Sequence, residues 1–63
     1  GRQDAAQTDF MQYQSDPESM NVNFGDSYED VDLGLTMHRF RRDDGVDVLF
    51  AETPSGQIYN LTR

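Results

Sequence analysis

The chain has 63 residues and a mass of 7.2 kDa, with no cysteine, twelve acidic residues against five arginines, and a formal net charge of −7. That length allows one small domain of limited core, and the lack of cysteine excludes disulfides and thiolate metal sites. The acidic excess argues against direct binding of nucleic acid or an anionic membrane and for a basic protein partner.

The charge is unevenly placed. Residues 1 to 32 hold Asp4, Asp9, Asp16, Glu18, Asp26, Glu29, Asp30 and Asp32 against Arg2 alone, whereas four carboxylates and four arginines balance in the remainder. No apolar run reaches membrane-span length, and the expectation is a soluble, cytoplasmic protein. A start at Gly1 and Arg2 instead of methionine fits a processed chain or an accessory fragment of a longer protein.

Residues 1–19 read as an acidic N-terminal helix or tail. Asp4 is a candidate cap, Ala6, Phe10 and Tyr13 recur at i, i+4 and i+7, and Pro17 ends the pattern. A helix this short is marginal in isolation. It is expected to dock Ala6, Phe10 and Tyr13 on a sheet that needs cover.

Residues 20–63 read as an antiparallel β-meander. The segment 20 to 24 alternates Met20, Val22 and Phe24 with asparagines, and 30 to 42 continues with Val31, Leu33, Leu35 and Met37 at a period of two, which predicts a half-buried strand with Gly34 as a possible bulge. His38, Arg39, Phe40, Arg41 and Arg42 follow on the same strand. With Asp44-Gly45 as a two-residue turn, Phe40 would oppose Leu49. With Asp43-Asp44-Gly45 as a three-residue loop, Gly45 takes the left-handed position and Arg41 faces Asp47, Phe40 faces Val48 and His38 faces Phe50. The second register is favoured, since it makes an opposite-charge pair and an aromatic pair together.

The run 46 to 51 is β-branched and aromatic, and Thr53-Pro54-Ser55-Gly56 is a turn signal. As a four-residue loop it would set Ala51 against Ile58 and Phe50 against Tyr59, with Val48, Phe50, Tyr59 and Leu61 on one face. The expected fold is α+β and mainly β: a short N-terminal helix packed on a four-stranded antiparallel β-meander, forming one small domain.

Enzymatic chemistry has little support in these residues. His38 is the only histidine, so a zinc site of usual composition cannot be assembled, and no glycine-rich phosphate loop is present. Of the serines, Ser27 and Ser55 fall in apparent turns. No cofactor is implied, and the arginines of 38 to 42 lie among carboxylates, which fits strand ion pairs rather than a nucleic-acid patch.

The densest acidic cluster is residues 26 to 32, read as a loop. It lacks the order of a calcium loop. Ser27 and Tyr28 stand among carboxylates as substrates of acidophilic kinases or of tyrosine sulfation do. Asp26, Tyr28, Glu29, Asp30 and Asp32 are the expected protein-binding residues, with the tyrosine as an amphipathic anchor. The expected function is a non-catalytic protein-binding module or inhibitor, with a phage-type DNA mimic as its sharper form. A structural subunit that self-associates through an apolar sheet face, as a homodimer for example, is the alternative.

Overall fold

The computed structural model describes residues 2–62; residues 1 and 63, the outer ends of the two expected segments, lie outside them. Helix α1 (Arg2–Ser15) precedes strands β1 (Val22–Asp30), β2 (Leu35–Arg42), β3 (Asp47–Glu52) and β4 (Ile58–Asn60). The strands pair antiparallel in chain order, as a meander with α1 on one face.

Asp4 lies in the first turn of α1 rather than at its cap, because the helix already starts at Arg2; there it complements the positive end of the helix dipole. The face anticipated from the spacing is the docked one. Ala6, Phe10 and Tyr13 are buried with Val48, Phe50 and Ile58, and Met20, Val22 and Phe40 pack around them. The Phe10 ring lies 5.4 Å from Phe50, and Tyr13 stacks 5.4 Å from Phe40, so the helix is held by aromatic contacts. It packs closest to β4, at one edge of the sheet. The opposite edge, β1, keeps a groove of about 600 Å³ between itself and the end of the helix at Tyr13 and Gln14, with Pro17 just beyond it.

The β2–β3 hairpin has the three-residue loop. Arg41 faces Asp47, Phe40 faces Val48 and His38 faces Phe50. Gly45 has a φ of 85°, which glycine adopts without strain, and its N–H donates to the Arg42 carbonyl at 3.0 Å. The β3–β4 register differs from expectation by one residue: Glu52 faces Ile58, Ala51 faces Tyr59 and Phe50 faces Asn60. The cause is a second loop of the same kind. Thr53 and Gln57 close around Pro54-Ser55-Gly56, with the Thr53 N–H on the Gln57 carbonyl at 2.9 Å and Gly56 at a φ of 91°. Ile58 consequently enters the core, while Tyr59 and Leu61 are exposed.

The strand expected over 30 to 42 is shorter and the one expected over 20 to 24 is longer. Residues 31–34 form a turn, in which Gly34 donates to the Asp30 carbonyl at 2.8 Å and Leu33 to Asp30 Oδ1 at 3.1 Å. Gly34 therefore ends a turn rather than making a bulge; the register shift in β1 occurs instead between Val22 and Phe24. Val31 and Leu33, expected to be half-buried, are 87% and 65% exposed.

The sheet face away from α1 carries Met37, Arg39 and Arg41 of β2 between Tyr28, Asp26 and Phe24 of β1 and Ala51, Leu49 and Asp47 of β3. Two ion pairs cross it, Arg39–Asp26 at 3.1 Å and Arg41–Asp47 at 2.9 Å. The hydrogen bond from Arg41 holds the Asp47 carboxyl below its ordinary range. A carboxyl lowered on folding stabilises above its unfolded pKa, and that contribution fades as pH falls through the folded value. For this exposed pair, NMR titration should place the Asp47 midpoint below that of a free aspartate, and Arg41→Ala should return it to the ordinary range with little change in stability.

Candidate functional site

Edge strand β1 and the turn after it hold every residue anticipated for binding, but as a strand and not as a loop. Antiparallel pairing sends alternate side chains to opposite faces. Asp26, Tyr28 and Asp30 share the face of Arg39, Met37 and Leu35, whereas Gly25, Ser27 and Glu29 share the face of Phe40, His38 and Thr36, which is the helix side. Asp32 sits in the exposed turn.

The acidic residues also differ in state. Asp26 is neutralised by Arg39, whose guanidinium lies 5.7 Å from the centre of the Phe24 ring. Asp30 is engaged by the turn it nucleates. The arginines of β2 are all paired, with Asp26, Asp47 and Asp44. Glu29 and Asp32 have no cationic partner among the described residues, and both are exposed. Between and beside them stand Tyr28, 49% exposed, and the turn's Val31 and Leu33. Uncompensated carboxylates thus flank three exposed apolar groups over seven consecutive positions, 28 to 34.

On the helix side, three strands contribute to one hydrogen-bonded chain that sequence reasoning did not assemble. Ser27 lies within β1 rather than in a turn, opposite His38. Its Oγ is 2.9 Å from His38 Nδ1, and His38 Nε2 is 2.9 Å from Glu52 Oε1 on β3. A carboxylate only accepts, so in the neutral imidazole Nε2 carries the proton and donates to Glu52. Nδ1 is then the lone-pair nitrogen, and the Ser27 hydroxyl donates to it. His38 is buried, with the Phe10 ring 4.6 Å away, whereas Ser27 is exposed at the groove beside α1. The chain satisfies a buried imidazole that would otherwise be costly.

Gly25 shapes the same groove. A Cβ at this position would stand 3.0 Å from Cδ1 of Phe40, so glycine lets that ring lie close against β1. Among the described residues, no group of three or more histidine, aspartate or glutamate side chains is placed to hold a metal ion. Among the described residues, no helix is long and apolar enough to cross a membrane.

Comparison with known proteins finds no matching family model, no similar curated protein and no similar solved structure. The functional reading therefore rests on the chemistry of β1 and its turn.

Proposed function

We propose that the chain is a non-catalytic protein-binding module of inhibitor type, which engages a basic partner through the end of β1 and the β1–β2 turn. The observation that carries this reading is the turn itself. Val31 and Leu33 are the most exposed of the large apolar residues at 87% and 65%, and they stand on either side of the uncompensated Asp32, with Glu29 two positions before Val31. Apolar anchors ringed by like charge fit an apolar recess with a basic rim, where burial supplies affinity and charge supplies orientation. Asp26 and Asp30 support the strand and turn, and Tyr28 extends the contact along β1. A DNA mimic is the form of this reading in which the free carboxylates occupy phosphate positions; the pairing of Asp26, Asp44 and Asp47 leaves fewer of them for that role.

An amphipathic peptide of alternating lysine and leucine serves as a probe, observed by amide chemical shifts. The expected shifts concentrate at 28 to 34, weaken as salt rises, and disappear in Glu29→Arg with Asp32→Arg, whose fold is retained because neither side chain is buried. Shifts spread equally over Asp9, Asp16 and Glu18 of the helical region would instead show non-specific attraction and end this reading.

Self-association is the second reading, favoured by Phe24, Tyr28, Tyr59 and Leu61 standing exposed. A dimer that persists at high salt in sedimentation equilibrium would support it over the first.

A further inference from the structure

We propose that Ser27 is an activated nucleophile and a site of covalent acylation by neutral, apolar activated esters. Three observations meet at this side chain. Ser27 is an exposed residue that lines the groove while its base, His38, is buried, so the acceptor is fixed and shielded but the serine is approached from the groove. Glu52 holds the imidazole proton at Nε2, which leaves the Nδ1 lone pair directed at Ser27 Oγ. Tyr13, Pro17, Val22 and Phe40 give the groove beside Ser27 apolar walls suited to an aryl or alkyl acyl group, with Gln14 and Asn23 also lining it. The net charge of −7 disfavours anionic donors.

The transfer balances without a redox partner. Ser27 Oγ forms a bond to the ester carbonyl carbon as its proton passes to His38 Nδ1, and Glu52 stabilises the resulting imidazolium through Nε2–H. The tetrahedral carbon then loses the alkoxide, which takes the proton from Nδ1 and leaves as alcohol. An acyl-serine and a neutral imidazole remain. The order of ring nitrogens is the reverse of the common serine–histidine–carboxylate arrangement, while the proton path is the same.

The test uses the full chain with p-nitrophenyl butyrate, following p-nitrophenolate release together with the intact mass and the mapped position of the adduct. One butyryl group per chain on Ser27 is expected, lost in Ser27→Ala. Because a positioned general base contributes roughly 10²- to 10⁴-fold, the adduct should form at least about 10²-fold faster than acylation of a surface serine such as Ser55. Glu52→Gln, which keeps an acceptor for Nε2–H but removes its charge, should slow the reaction by roughly tenfold or more. Circular dichroism confirms that each variant is folded. An unmodified Ser27 in the folded chain, an adduct that forms at an unchanged rate in Ser27→Ala, or a Glu52→Gln variant as fast as the parent would each overturn the assignment.

Discussion

Phe50→Ala should leave most of the chain unfolded in water. Among the described residues Phe50 is the one large side chain with no exposure, and the rings of Phe10, Tyr13 and Phe40 surround it at 5.4, 5.7 and 6.1 Å. Truncating a buried phenylalanine costs about 3–5 kcal/mol. A domain of this length has a total stability of only about 3–9 kcal/mol by the usual value per residue. No disulfide is available to hold the remaining contacts together. Urea unfolding followed by circular dichroism would show the parent's transition shifted to low denaturant or lost altogether in the variant. A parent-like midpoint would mean that the core is centred elsewhere.

Phe10→Ala should cost nearly as much, about 3 kcal/mol, although the residue belongs to a helix that could not persist by itself. Its ring lies against two strands of the sheet: 4.6 Å from His38 and 6.2 Å from Phe40 on β2, and 5.4 Å from Phe50 on β3. Loss of the ring would free α1 and expose His38 to water. Met11, the next residue along the helix, points outward, and Met11→Ala should change stability by no more than about 0.5 kcal/mol. The pair of variants, compared by denaturant midpoint and by helical dichroism, separates the docked face from mere helix propensity. Equal midpoints would show that α1 does not contribute to the core.

How far this was legible in the sequence depended on whether a segment carried two independent signals. The β2–β3 register did: the loop type of Asp43-Asp44-Gly45 and the Arg41–Asp47 pairing agree. The helix did too, through the spacing of Ala6, Phe10 and Tyr13 and the stop at Pro17. The β3–β4 hairpin had only Pro54-Ser55-Gly56, and treating Thr53 as part of the loop moved the partner of Phe50 from Asn60 to Tyr59. Gly56 takes the same left-handed conformation as Gly45, so the rule that served one hairpin would have served the other.

Val31 and Leu33 misled for another reason. Their alternation with Leu35 and Met37 imitates a half-buried strand, yet burial depends on what lies opposite, and they lie in the turn. The candidate binding residues were therefore identified by charge while their arrangement was not. The Ser27–His38–Glu52 chain was out of reach for the same reason, since it exists only once Asp30 is set against Leu35 and Glu52 against Thr36. An Asp30 turn closing on Gly34 was the one local signal that would have placed Ser27 beside the histidine.

The seat of α1 on β4 has a consequence for how the chain comes to be folded. The hairpins join near neighbours in sequence, whereas the helix and the last strand stand at opposite ends of the described chain. Ile58 supplies part of the apolar bed in which Phe10 and Tyr13 lie. During synthesis the aromatic side chains of the helix emerge from the ribosome well before that bed exists. Until residues 58–62 have followed, they remain unsheltered, and closure of the core waits for the last pairing of the meander.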